Sequence, residues 1–176
     1  MGALSVPQRL RLASERAAWR PCEPLERILG GVLFLLTLPV LLAARFGTGD
    51  AMQAVAAIAA VLGHCFSPWL GFNGGKGVAT MLGATLALSP LAVAVAVAGW
   101  LLGAIVLTPY SSVGSMLAGL LVIPSLAFFT RSLWETLYGA AVAILIIFRH
   151  RENIERLRSG TENPIPFLKG RAAKKR

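Results

Sequence analysis

Residues 78–107 read VATMLGATLALSPLAVAVAVAGWLLGAIVL, a run without one charged side chain. As a single helix it would reach about 45 Å, well beyond the roughly 30 Å of a bilayer's hydrocarbon. Ser89-Pro90 sits inside the run as a natural break. The stretch therefore predicts two helices, a short one near Val78–Leu88 and a longer one near Leu91–Leu107. At about 16 Å the short one is a half-span, or it starts further back in the glycine-rich segment before it.

The same pattern recurs on either side. Ile28–Phe46, softly broken by Pro39, and Ala51 to about Gly63 lie upstream; Val113–Phe129 and Leu133–Phe148 lie downstream. Proline is tolerated in a membrane helix when neighbours satisfy the freed carbonyl. Between Leu29 and Phe148 the charged residues are Arg45, Asp50, Lys76, Arg131 and Glu135. A water-soluble fold of that composition would expose far too much apolar surface. The fold class is thus all-α, a polytopic integral membrane protein of about six hydrophobic segments. The many Gly, Ala and Ser residues in the spans allow close helix packing.

The net charge of +9 is carried by basic residues that flank hydrophobic spans. That placement argues against nucleic acid as a partner and for membrane lipids, with the cations as anchors near anionic headgroups. With the N-terminus inside, fifteen Lys and Arg fall on the cytoplasmic side, and Arg45 and Arg131 alone fall outside. The positive-inside rule selects this orientation. It places His64–Gly77, Tyr110–Ser115 and Arg149–Glu162 on one membrane face.

Three regions follow: a basic cytoplasmic segment over 1–27, a membrane domain over 28–163 and a basic tail over 164–176. Residues 1–27 lack the apolar core and cleavage site of a signal peptide. Lys169–Arg176 reads as a disordered end that touches lipid headgroups. Cys22 and Cys65 have neither pairing nor metal spacing around them, and they read as small apolar side chains. No metal and no cofactor is expected.

Three polar segments hold the candidate chemistry. Asn73-Gly74-Gly75-Lys76-Gly77 opens onto the helix at Val78. Successive backbone N–H groups of a glycine loop at a helix N-terminus bind phosphate-like anions, and Lys76 adds a mobile charge. The plainer alternative is a glycine turn with an anchoring lysine; the spacing is not that of a Walker A loop. His64, at the head of the same segment, is either a structural hydrogen-bonder or a catalytic group. Ser111 and Ser112 begin another helix, where serine commonly acts as N-cap; a hydroxyl aimed at a phosphate is the functional alternative. Arg149–Arg158 reads as an amphipathic interfacial helix with Arg151–Glu155 and Glu152–Arg156 as i,i+4 pairs. Within it His150 and Asn153, three residues apart, share a face and suit the orientation of a hydroxyl or phosphate. Ser159-Gly160 ends the helix and Glu162 follows.

Gly63-His64-Cys65-Phe66-Ser67-Pro68 followed by Phe72-Asn73-Gly74-Gly75-Lys76-Gly77-Val78-Ala79-Thr80 resembles the central motif of the PlsY family, the acyl-phosphate:glycerol-3-phosphate acyltransferases. Arg149-His150-Arg151-Glu152-Asn153 through Gly160-Thr161-Glu162 resembles that family's C-terminal motif, and Tyr110–Ser115 its serine motif. The likeness covers about residues 50–163. Residues 1–27 do not contain the Gly-Ser-Gly-Asn-type loop with which family members contribute a serine and an arginine. Val32–Pro39 lacks an Asp and a Lys common in their second span, and Pro109 stands where an arginine is common.

The resemblance implies a bacterial inner-membrane enzyme whose site faces the cytoplasm. It implies transfer of an acyl group from acyl phosphate to the 1-hydroxyl of glycerol 3-phosphate. The products are lysophosphatidic acid, which enters phospholipid biosynthesis, and inorganic phosphate. An enzyme that makes acyl phosphate is the implied functional partner. By similarity Asn73, Gly74, Gly75, Lys76, Gly77, Ser111 and Glu162 hold substrate or phosphate. His64, Ser112, His150 and Asn153 are the implied catalytic set, His150 and Asn153 positioning glycerol 3-phosphate. Two other functions compete: an inactive or truncated membrane homologue, and a small anion transporter, which would be expected to carry more polar residues along its spans.

Overall fold

The computed structural model describes residues 38, 40–43, 45, 46 and 49–170, apart from the side chain of Trp69. The expected segment 1–27, most of the first span and residues 171–176 lie outside these. Six helices follow in chain order: α1 (Asp50–Cys65), α2 (Val78–Leu88), α3 (Pro90–Leu101), α4 (Ser111–Phe129), α5 (Leu133–Arg149) and α6 (Arg151–Arg158). The protein is an all-α integral membrane protein. Pro90–Leu107 and Ser111–Phe129 are each long and apolar enough to cross a bilayer, while α5 and α6 reach that length and apolarity only taken together, across a bend of 54°. The short helix expected at Val78–Leu88 has those bounds.

The breaks have local causes. Ser89 has extended backbone angles that end α2, and its hydroxyl accepts the Ala92 N–H at 3.3 Å to cap α3, whose first residue is Pro90. Past Leu101 the chain widens into a π-helical stretch, Leu102–Leu107, closed by Thr108 N–H and Oγ1, both donating to Gly103 O. The sequence reading has one regular helix here, since hydropathy does not distinguish i→i+5 from i→i+4 bonding.

The helices close a ring: α1 packs on α2, α2 on α3, α3 on α4, α4 on α5, and α5 back on α1. Small residues set the approach. A methyl group added at Gly103 would meet Gly114 Cα at 2.8 Å, and one added at Gly114 would meet Trp100 O at 2.5 Å and Ala104 Cβ at 2.7 Å. The core is correspondingly rich in alanine, with Ala54, Ala57, Ala84, Ala92, Ala96 and Ala118 buried. Within it Tyr138 shares a hydrogen bond with Thr85 Oγ1 at 3.1 Å and donates to Met81 O at 3.3 Å, pinning α5 to α2.

Two expectations need correction. Arg149 and His150 belong to the end of α5, not to the interfacial helix, because the chain bends at His150 and α6 starts at Arg151. Ser111 and Ser112 do not cap α4: Tyr110 occupies the N-cap position and makes no side-chain cap bond. Beyond residue 163 the chain continues on the protein, with Ile165 N–H donating to Pro109 O at 2.8 Å.

Gly114→Val, placed where a Cβ already meets backbone, is expected to destabilise the protein by about 2–4 kcal/mol. Gly119→Val, whose Cβ meets only the Ile146 side chain at 3.4 Å, costs less. Thermal unfolding in detergent compares the two.

Candidate active site

The three polar segments meet at one end of the helical ring. The end of α6 begins the construction. Ser159 is the C-cap, and Gly160 follows with φ 71°. Thr161 N–H donates to Arg156 O at 2.8 Å and Gly160 N–H to Leu157 O at 3.3 Å. This pairing is a Schellman ending, which needs the left-handed conformation that glycine adopts without strain. It turns the chain back on itself, so that Glu162 comes to lie beside Asn153.

Glu162, 6% exposed, gathers three donors. Asn153 Nδ2 donates to Oε1 at 2.7 Å, Ser112 Oγ to the same oxygen at 2.8 Å, and Arg156 Nε to Oε2 at 2.9 Å. Burial pushes the Glu162 carboxyl upward, but these hydrogen bonds and the Arg156 charge outweigh it and hold it below the usual carboxylate range. The Arg156–Glu152 pair is looser, at 4.0 Å. With its Nδ2 on Glu162, Asn153 presents Oδ1 to Lys76, whose Nζ donates to it at 2.5 Å. Residues 76, 112, 153 and 162 thus form one connected network.

The glycine loop is seated on the end of α1. Gly74 N–H donates to Cys65 O at 3.2 Å, so that donor is engaged within the chain. A Cβ at Gly74 would run into the His64 carbonyl, and one at Gly75 into the His64 imidazole. Gly77 has φ 80° as N-cap of α2, and a Cβ there would lie 2.8 Å from Cys65 Sγ. Arg149 closes the loop from the other side: its Nη2 donates to Gly74 O at 2.6 Å and its Nε to Gly75 O at 3.2 Å. The guanidinium carbon lies 5.5 Å from the Phe66 ring centroid.

His150 is 2% exposed and its Nδ1 lies 2.8 Å from Ile146 O. A carbonyl accepts, so Nδ1 carries the proton and Nε2 is the acceptor atom. Burial pushes the His150 pKa below 6.5; the Ile146 carbonyl opposes this, and nearby Lys76 adds to it. The imidazole is neutral at pH 7.

The structure thus brings together His64, Gly74, Gly75, Lys76, Gly77, Ser112, Asn153 and Glu162, with His150 beside Lys76 and Glu162. Asn73 and Ser111 are exposed. Asn73 joins the loop through its N–H to Leu70 O, and Ser111 accepts Ser115 Oγ on its carbonyl. Sequence reasoning missed Arg149 and Arg156 as site residues. Both were read as charges of a solvated helix, and no local signal marks which basic residue of such a helix turns inward. Among the described residues no three His, Cys, Asp or Glu side chains are grouped to hold a metal.

Residues 31–160 match the family model described as glycerol-3-phosphate acyltransferase. A glycerol-3-phosphate acyltransferase of Geobacter sulfurreducens is 43% identical over 125 residues, covering 71% of this chain and 64% of that one. One of Thermus thermophilus is 45% identical over 127 residues, covering 70% and 61%. The chain spans just under two thirds of the length of these relatives. The crystal structure of PlsY (YgiH), an integral membrane glycerol 3-phosphate acyltransferase, in its glycerol 3-phosphate form, is similar at TM-score 0.70 and 34% identity over 78% of this chain and 71% of that one. Its lysophosphatidic acid form is similar at TM-score 0.71.

Acid should weaken the site in two steps. His150 has a folded pKa below its unfolded value of 6.5, so its contribution is intact above about 6.5 and is lost as pH falls through the lowered folded value. Glu162, also lowered, adds a loss below its ordinary 4.5. Melting temperature against pH in detergent should show both falls, and His150→Gln should reduce the first, the remainder belonging to His64, whose pKa burial and the Arg149 charge also lower.

The glycines should separate by what they touch. Gly74→Ala requires a backbone shift against the His64 carbonyl and is expected to cost about 1–3 kcal/mol. Gly75→Ala displaces only the ring of His64 and should cost less than about 1 kcal/mol. Equal losses in thermal unfolding would contradict the packing described for the loop.

Proposed function

Since the chain belongs to the glycerol-3-phosphate acyltransferase family, we propose that it acylates glycerol 3-phosphate from acyl phosphate at this site. The observation that carries the proposal is the Lys76–Asn153–Glu162 network joined to Ser112. It sets a lysine, an amide and a hydroxyl at one place, and both substrates are phosphate esters or anhydrides.

The 1-hydroxyl oxygen of glycerol 3-phosphate attacks the acyl carbonyl carbon. The bond from that carbon to the phosphate oxygen breaks, and inorganic phosphate leaves with lysophosphatidic acid as the other product. The hydroxyl proton goes to the departing phosphate or to a neutral imidazole. An acyl phosphate is already activated, so no protein nucleophile is required. What the chain supplies is orientation and cationic stabilisation of phosphate charge.

Lys76 holds a substrate phosphate with the glycine loop; its present partner is an uncharged amide oxygen, so its charge remains available. Ser112 now donates to Glu162 and must turn its hydroxyl to reach a phosphate. Glu162, ionised, offers an anion no donor; it orders Asn153 and Ser112. Asn153 and neutral His150 position glycerol 3-phosphate, and His64 organises the loop or serves as base. Asn73 and Ser111, at the exposed rim, contact substrate at the entrance. Lys76, Arg149 and Arg156 outnumber the carboxylate of Glu162, so the site favours anions.

The membrane is the bacterial inner membrane, with the site on its cytoplasmic face. Support comes from the distribution of Lys and Arg between the two sides. There the protein draws acyl phosphate from the enzyme that makes it. Residues 28–163 form the acyltransferase domain between basic ends that contact lipid.

Purified protein in detergent, given palmitoyl phosphate and radiolabelled glycerol 3-phosphate, should form labelled lysophosphatidic acid. Lys76→Ala should lower kcat/KM by about a hundredfold or more. No product from a folded sample would favour a non-catalytic homologue, and undiminished product from Lys76→Ala would remove Lys76 from the mechanism.

A further inference from the structure

Arg149 touches the glycine loop through backbone atoms alone. Its Nη2 and Nε donate to two consecutive carbonyls, Gly74 O at 2.6 Å and Gly75 O at 3.2 Å, while the Phe66 ring lies 5.5 Å from the guanidinium carbon. A trans peptide is planar and carries its N–H opposite its C=O. Gripping the carbonyls of Gly74 and Gly75 therefore turns the next two N–H groups, those of Gly75 and Lys76, away from the guanidinium. Among the described residues neither N–H has a hydrogen-bond partner. The Gly74 N–H is held by Cys65 O, so the loop is fixed at three successive peptide groups.

We infer that Arg149 is a positioning residue for substrate phosphate. It clamps the loop's carbonyls, aligns the N–H groups of Gly75 and Lys76 as anion donors and sets the stem from which Lys76 reaches Asn153. Arg149 acts through the loop, not by touching phosphate. The inference rests on the acyltransferase reading given above.

The arrangement requires a fork. Arginine offers adjacent N–H groups in one plane, which match two neighbouring carbonyls; lysine offers a point charge. Its position explains why a cation is used at all. Arg149 is the last residue of α5, where a helix ends in unpaired carbonyls and favours positive charge. The bend of 54° after it carries Asn153 of α6 to Lys76, so the two sides of the bend hold the loop, α5 by its backbone and α6 by its lysine.

The test compares Arg149→Lys with Arg149→Gln. If Arg149 clamps the loop, both raise KM for glycerol 3-phosphate by about tenfold, with a smaller change in kcat and a melting temperature close to that of the unchanged protein. If its charge acted on phosphate directly, lysine would restore KM, and that result overturns the inference. A fall in melting temperature with KM unchanged overturns it too. A second readout does not depend on turnover: releasing the loop should speed trypsin cleavage after Lys76 in detergent. Unaltered cleavage in Arg149→Lys would count against the clamp even if the protein proved inactive, whereas absence of product from the unchanged protein counts against the acyltransferase reading alone. Should both Arg149 variants fail to fold, Phe66→Leu removes only the ring beside the guanidinium. It should shift KM and cleavage in the same direction by a smaller factor; no shift in either overturns the inference.

Discussion

An ionised carboxylate removed from water costs several kcal/mol unless its oxygens are fully engaged. Glu162 meets that condition by drawing on Ser112, Asn153 and Arg156 at once. Segments that are distant in sequence are thereby fastened at one end of the helical ring. The consequence passes along the network. Asn153 has one amide orientation compatible with its neighbours, Nδ2 toward the carboxylate and Oδ1 toward Lys76. A negative charge that could never attract a phosphate itself determines where the positive charge stands.

That network needs a rigid floor, and the helical ring supplies one with little bulky side-chain material. In lipid no hydrophobic effect pulls helices together, so close van der Waals contact and interhelical hydrogen bonds must do so. Gly103 against Gly114 brings the backbone of the π-helical stretch after α3 nearly into contact with that of α4. Tyr138 ties α5 to the short α2, which is too short to cross a bilayer alone and is held by its neighbours. Because α2 begins at the glycine loop, any movement of α2 would carry Lys76 with it.

Spans and their breaks were legible in the sequence because hydropathy and Ser-Pro chemistry are local properties. The short α2 is an example: thirty apolar residues exceed one bilayer crossing, and Ser89-Pro90 marks the only natural break. The site was legible to the extent that glycine, lysine, histidine and asparagine sat in recognisable order. What stayed hidden depends on direction. Ser112 lies two positions past the N-cap, which is Tyr110, and its hydroxyl goes to Glu162 instead. Arg149 looked like one of several cations on an exposed helix, but the bend at His150 leaves it on α5, facing residues about 75 positions earlier. The π-helical turn before Thr108 has no compositional mark at all.

The glycines illustrate how one composition serves two purposes. Taken alone, a run such as Asn73–Gly77 suggests a nest in which each N–H awaits an anion. The structure engages the Gly74 N–H internally, sets a backbone carbonyl of His64 where a Gly74 side chain would go, and fills the space beside Gly75 with the His64 ring. Only Gly77, at φ 80°, needs the left-handed region. Close packing is therefore what demands glycine at 74 and favours it at 75, and donor geometry is a result of that packing. On the proposed reaction this order of cause matters. The donor is activated before it arrives, so the barrier falls chiefly through the placement of charge and N–H groups around phosphate. A loop free to shift by an ångström would surrender much of that advantage. The absence of side chains at 74 and 75 lets the loop lie flat on α1, where its carbonyls come within reach of a single guanidinium.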